Sequence, residues 1–206
     1  MKKRMIIAVT GSIAAGKNAA AEILEQAGFL SIDADVLAHT AAEQAKDDIV
    51  RAFNAEAEQR GVSLLQPDGS LDRRVLGSIV FSSPEMLETL EKITHPLINS
   101  MMNEFIDTHP NDNIILNAAV LFKTPAISRC DCIFFIHAPA LIRFFRVRRR
   151  DKLPPRQIFK RFSAQKHIFA QYKILNADMY IVKNIGSRKK LRKRLFYILH
   201  IREKRG

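Results

Sequence analysis

Met5-Ile6-Ile7-Ala8-Val9-Thr10-Gly11-Ser12-Ile13-Ala14-Ala15-Gly16-Lys17 sets an apolar, β-branched run directly before a Gly-x-x-x-x-Gly-Lys spacing. A loop with that spacing wraps backbone N–H groups around a polyphosphate, and the helix that follows presents its positive end to the same anion. The stretch therefore predicts a buried strand, a phosphate-cradling loop and a helix that starts near Lys17. A lysine at a helix start opposes the helix dipole, so an anion in front of it explains the placement better than a surface role does. Asn18 stands where such a loop ordinarily carries the Ser or Thr that reaches Mg²⁺.

Working outward, four more apolar runs follow, at residues 29–32, 114–116, 132–137 and 179–183. Their apolarity is continuous rather than alternating, which predicts strands covered on both faces. Helical patterns separate them, so the order predicts an α/β fold on a parallel sheet of five strands. Ala19-Ala20-Ala21-Glu22-Ile23-Leu24 reads as the first crossover helix, ended by Gly28. Between residues 39 and 112 the gap is too long for one crossover, and an inserted, mainly helical sub-domain is expected there. It contains a turn at Pro67-Asp68-Gly69 and a helix with Ser83 as N-cap and Pro84 in its first turn. Residues 143–170, rich in arginine and broken by Pro154-Pro155, predict a mobile lid at the carboxyl side of the sheet. The expected division is residues 1–35, 111–142 and 171–206 as core, 36–110 as the helical sub-domain, and 143–170 as the lid.

Of the 206 residues, 47% are apolar and 26% charged, the balance of a globular chain rather than a disordered one. No apolar run nears the about 20 residues of a membrane span. Met1-Lys2-Lys3-Arg4 has the charge of a signal-peptide start, but the apolar run behind it is only a strand long and leads into the glycine loop. A cytoplasmic protein without a membrane partner is expected. Cys130 and Cys132 would point to opposite faces of a strand and read as buried free thiols. Of the net charge of +12, the last 19 residues carry +8, with nine Lys/Arg against Glu203. Leu191, Leu195, Ile198 and Leu199 recur there at helical spacing, which predicts an amphipathic helix with a solvated basic face in preference to a nucleic-acid arm.

Chemistry concentrates at three places. Ser31-Ile32-Asp33-Ala34-Asp35 ends the second strand with two carboxylates. In a doubly wound sheet that end lies beside the phosphate loop, where carboxylates can orient a metal–water shell and take a proton from an attacking hydroxyl. The alternative is that one of them only N-caps the next helix. Arg143, Arg146, Arg148, Arg149 and Arg150 crowd one segment, with Arg146 and Arg150 on one helical face and Arg161 farther on. Such a stripe can clamp phosphoryl oxygens. His95, just before Pro96, reads from spacing alone as a structural residue at a helix end.

Taken together, these segments resemble the dephospho-coenzyme A kinases nearly end to end. The resemblance is carried by the glycine loop, by Ile32-Asp33-Ala34-Asp35-Val36-Leu37-Ala38, and by Leu71-Asp72-Arg73-Arg74-Val75-Leu76-Gly77-Ser78-Ile79-Val80-Phe81. It continues through Leu90-Glu91-Lys92-Ile93-Thr94-His95-Pro96-Leu97-Ile98, Arg150-Asp151 with Arg161 and Gln165, and Ala177-Asp178 to Asn184-Ile185-Gly186-Ser187. It implies a three-layer α/β/α P-loop kinase with a five-stranded parallel sheet, an inserted helical CoA-binding sub-domain and a small lid. It implies transfer of the ATP γ-phosphoryl, with Mg²⁺, to the ribose 3′-hydroxyl of dephospho-CoA, the last step of coenzyme A synthesis.

By position, the resemblance makes Asp35 the general base, Asp33 its companion and Arg146 the lid arginine that stabilises the transferring phosphoryl, with Arg150 beside it. Gly11, Ala14, Ala15, Gly16, Lys17, Asn18 and Ala19 become the ATP-phosphate loop, and Asn18 also the metal position. Asn184, Gly186 and Ser187 fall near the adenine, while His39, Thr94 and His95 fall on the substrate side. Where the family loop reads Gly-Gly-Ile-Gly-Ser-Gly-Lys-Ser/Thr-Thr, this chain differs at Ser12, Ala14, Ala15, Asn18 and Ala19, and Ala14 must adopt positive φ if its position requires it. His39 replaces an arginine, and Ala119-Val120-Leu121-Phe122-Lys123 replaces Pro-Leu-Leu-Phe-Glu. Two other readings stay open: a nucleotide-binding relative that no longer transfers phosphate, motivated by Asn18 and Lys123, and a basic nucleic-acid-binding module whose support is the tail.

Overall fold

Strand β1 (Ile6–Gly11) is buried at every position and lies at the centre of a five-stranded sheet of order β2-β3-β1-β4-β5. The other strands are β2 (Leu30–Asp33), β3 (Ile114–Asn117), β4 (Cys132–His137) and β5 (Met179–Lys183), and every pairing is parallel. This is a computed structural model, and it describes residues 4–175 and 177–203. Met1, Lys2 and Lys3 of the basic N-terminus and Lys204 and Arg205 of the tail lie outside the described residues. The chain packs as two compact units, one formed by residues up to Asp33 with those from Ile106 onward, the other by Ala34–Phe105.

In the first unit, helices α1 (Lys17–Glu25) and α9 (Arg188–Glu203) cover one face of the sheet. Ala20, Ile23 and Leu24 from α1 and Leu191, Leu195 and Leu199 from α9 meet Ile7, Val9, Ile115, Phe134 and Ile136 in one apolar cluster. The spacing expected of the tail thus places its apolar stripe in the core and leaves Arg192 and Lys193 exposed. On the other side, Phe135 meets the rings of Phe169 and Tyr172 edge-on at 5.0 and 6.1 Å. Those rings belong to α8 (Ile168–Lys173), which follows α6 (Ala140–Asp151) and α7 (Pro155–Ala164). Residues 143–170 run from α6 through α7 into α8; Arg143 stacks 4.4 Å from the Phe162 ring centroid, and Phe144 packs on Phe159. Coverage on both faces holds for β1, β3 and β4 only; β2 is half-buried throughout and Ile181 of β5 is 50% exposed, because both are edge strands.

The second unit is helical, with α2 (Ala34–Gln44), α3 (Lys46–Gln59), α4 (Arg73–Val80) and most of α5 (Pro84–Thr108). Ile49, Phe53 and Ala57 of α3 pack with Leu64, Leu71, Leu76 and Ile79 in its core. The Asp68 carboxylate accepts from Ser70 N and Oγ at 2.9 and 2.7 Å and fixes the expected turn. Asp72 caps α4 by accepting from the Arg74 and Val75 amides, and Ser83 Oγ accepts from Met86 N at 3.2 Å at the start of α5. The helix end expected at His95 is absent. Pro96 lies inside α5, because Leu90, Ile93 and Leu97 pack against the core on one side and carry the helix through.

Candidate active site

The end of β1 and the loop after it carry three residues of positive φ: Gly11 at 149°, Ala14 at 56° and Gly16 at 101°. Ala14 thus adopts the left-handed conformation that its position raised as a question. At Gly16 a Cβ would lie 2.1 Å from Asn184 Nδ2, so only glycine fits. Gly16 also caps α1, whose start has no side-chain cap and no acidic residue in its first turn. Lys17 therefore leads a helix end that offers unpaired N–H groups and positive potential.

Asn117, at the end of β3, joins the residues around the loop. Its Oδ1 accepts from Lys17 Nζ at 3.2 Å, and its Nδ2 donates to Asp33 Oδ2 at 2.7 Å and to Asn18 Oδ1 at 3.3 Å. The structure thus brings Lys17, Asn18 and Asp33 together through a residue that motif reading passed over. A polar side chain closing the apolar run Ile114-Ile115-Leu116 was the available signal.

Behind the loop, Arg146 Nη1 donates to the carbonyls of Ala14 and Ala15 at 3.2 and 3.1 Å, and Nη2 to Asn184 O at 3.0 Å. Asn184, itself buried, donates from Nδ2 to Ala15 O at 2.8 Å. Arg146 and Asn184 therefore hold the loop by its carbonyls. Gln165 acts on the same loop, with Oε1 accepting from Ile13 N at 2.7 Å. Gly186 has φ 100° in the turn before α9, and Ser187 O accepts from the amides of Lys190 and Leu191 in the first turn. Arg150 is on α6 as expected, but its guanidinium binds Asp151 at 2.6 and 3.1 Å, and Arg161 reaches the same carboxylate at 3.3 Å. The Arg150 hydrogen bond holds the Asp151 carboxyl below the usual carboxylate range.

The remaining expected positions belong to the helical unit. Asp35 is exposed in the first turn of α2, and His39, also exposed, is one turn on. Thr94 is buried in the middle of α5, where its Oγ1 donates to Leu90 O at 2.9 Å; His95 beside it is half-buried. Among the described residues no three His, Cys, Asp or Glu side chains gather to hold a metal ion, and no helix is long and apolar enough to cross a membrane.

Comparison with known proteins agrees with this geometry. The dephospho-CoA kinase family model matches residues 5–190. A dephospho-CoA kinase of Treponema denticola is 38% identical over 195 residues, spanning 93% of this chain and 87% of the relative. One from Acinetobacter baylyi is 36% identical over 78% of this chain and 80% of its own. Among solved structures, a dephospho-CoA kinase from Campylobacter jejuni superposes with a TM-score of 0.65 at 28% identity, covering 96% of this chain and 97% of that one. A shikimate kinase from Bacteroides thetaiotaomicron, 13% identical with a TM-score of 0.52 over 97% and 98% of the two chains, shares the fold alone. A glycine loop alone is common to many nucleotide-binding proteins, but a match that spans the sheet, the inserted helices and the strand after them is not, and the chain belongs to the dephospho-CoA kinase family.

Proposed function

We propose that this chain transfers the γ-phosphoryl group of ATP to the ribose 3′-hydroxyl of dephospho-CoA, giving coenzyme A and ADP. The observation that carries the reading is the meeting of Lys17, Asn18 and Asp33 beside a glycine loop at the carboxyl end of the sheet. The loop amides and Lys17 hold the β- and γ-phosphates, and the uncapped start of α1 adds its dipole. Asp35 accepts the proton of the attacking hydroxyl, with Asp33 as its companion. Arg146 acts through the loop it holds by the Ala14 and Ala15 carbonyls, and Arg150 leaves Asp151 to meet the charge that develops on the transferring group. Asn184, Gly186 and Ser187 border the adenine. The helical sub-domain, expected over residues 36–110, takes the coenzyme through His39 and His95, while Thr94 keeps its hydroxyl on Leu90 O inside α5. The lid is residues 143–170, the site of action the cytoplasm.

Asn18 Oδ1 and the Asp33 carboxylate are hard oxygen donors beside Lys17, a set suited to Mg²⁺, which takes one or two protein ligands and completes its shell with phosphate oxygens and water. When bound, Mg²⁺ neutralises phosphate charge in the transition state. A coupled ADP-release assay with ATP, Mg²⁺ and dephospho-CoA tests the reading, with the product checked for a 3′-phosphate. Product that requires all three supports it. ATP binding without product would favour a nucleotide-binding relative that does not transfer phosphate.

A further inference from the structure

Register sets Val9, Asn117 and Asp33 level with one another across three adjacent strands. Asn117 ends the middle one, between the strand that feeds the loop and the strand that ends in Asp33. It is only 3% exposed, and its amide faces a cation on one side and a carboxylate on the other. The amide has one orientation that works: turned over, it would set its N–H group against an ammonium and its oxygen against a carboxylate. No aliphatic side chain makes either contact, and a carboxylate would pair with Lys17 while repelling Asp33. A carboxamide meets both demands without charge.

We infer that Asn117 is a positioning residue, a neutral spacer that holds Lys17 and Asp33 aimed and apart and so leaves the lysine charge for nucleotide phosphate. The inference rests on the proposed function only in that Lys17 binds phosphate. Without the spacer, Lys17 and an adjacent carboxylate would form an ion pair that the incoming nucleotide must break.

The test is ATP affinity by titration calorimetry in EDTA, which removes the metal from the comparison, alongside thermal melts. Asn117→Asp, nearly isosteric, is expected to weaken ATP binding about tenfold or more by pairing with Lys17. The exchange Asn117→Asp with Asp33→Asn restores an amide–carboxylate hydrogen bond across the two strands. It is expected to recover the melting temperature and yet keep the weakened ATP affinity, because the carboxylate still faces Lys17. A purely structural Asn117 would let both recover together, and that result overturns the inference. So does wild-type affinity in Asn117→Asp. If the single variant does not fold, the exchange variant decides alone. A wild-type chain that binds ATP but leaves dephospho-CoA unphosphorylated ends the kinase reading while the affinity comparison still decides this one. A wild-type chain without ATP affinity ends both.

Discussion

Ala14 sits in the phosphate loop at φ 56°, a conformation that costs an L-residue about 1–2 kcal/mol. Arg146 holds its carbonyl, so the strain is kept by hydrogen bonds rather than relieved. Ala14→Gly removes the Cβ conflict and returns part of the gain as unfolded-state entropy, so a net stabilisation of about 0.5–1 kcal/mol is expected in urea unfolding. Gly16→Ala has the opposite sign. Its Cβ would meet Asn184 Nδ2 at 2.1 Å, on a backbone at φ 101°, and ATP affinity should fall about tenfold or more. Asp35→Asn addresses chemistry rather than shape. As the proposed base it should lower kcat about 10²–10⁴-fold with KM for ATP unchanged, and near wild-type turnover would remove the assignment. The shape of the loop was legible residue by residue, because the glycine and lysine spacing is local and follows from backbone geometry. Asn117 was not, because its partners lie about a hundred positions away along the chain and only strand order brings them together.

Helix α9 shows at the scale of an element how a basic segment can be a structural one. Lys189, Lys190, Arg192 and Lys193 face solvent while Leu191, Leu195 and Leu199 close one face of the sheet, and Arg202, half-buried, donates to Asp131 O and pairs with Asp178. Leu195→Ala, at a position with no exposed surface, should cost about 3 kcal/mol, whereas Arg192→Ala on the exposed face should stay within about 0.5 kcal/mol. Equal and small effects in a denaturant titration would mean that the helix is not part of the core. Apolar periodicity made α9 readable because both of its faces, wet and dry, are written in one segment. Helix α5 was harder. Pro96 is a fair local signal for a helix end, but packing of Leu90, Ile93 and Leu97 outweighs one lost backbone hydrogen bond, and that packing is set by residues far away in sequence. The edge strands misled for a related reason: the run at β5 is largely apolar and the run at β2 is broken only by Ser31, yet their position at the edges of the sheet leaves both partly exposed.

For the whole molecule, alkaline stability follows from where the sheet buries its weak acids. Burial pushes the Cys132 thiol, on inner strand β4, up from an ordinary 9.0 to about 12, and pushes the Tyr172 hydroxyl up from 10.0 to about 12. Cys130 is raised to about 12 as well, again mainly by burial. In each case the folded protein holds a proton that the unfolded chain releases more readily. The stabilisation is therefore complete below the unfolded value and is lost as pH rises through the folded one. Urea midpoints should hold up to pH 9 and fall steadily above it, toward the folded values near 12. The same burial predicts the kinetics of thiol labelling. Cys132 has no exposed surface and pairs with Ile7 of β1 on an inner strand, so a thiol reagent should reach it only when the sheet opens. In a Cys130→Ala background at about pH 8, labelling should proceed at the global unfolding rate and accelerate with urea in step with it. Rapid labelling without denaturant, or urea midpoints that stay level across the alkaline range, would show that β4 is not a closed inner strand of the sheet.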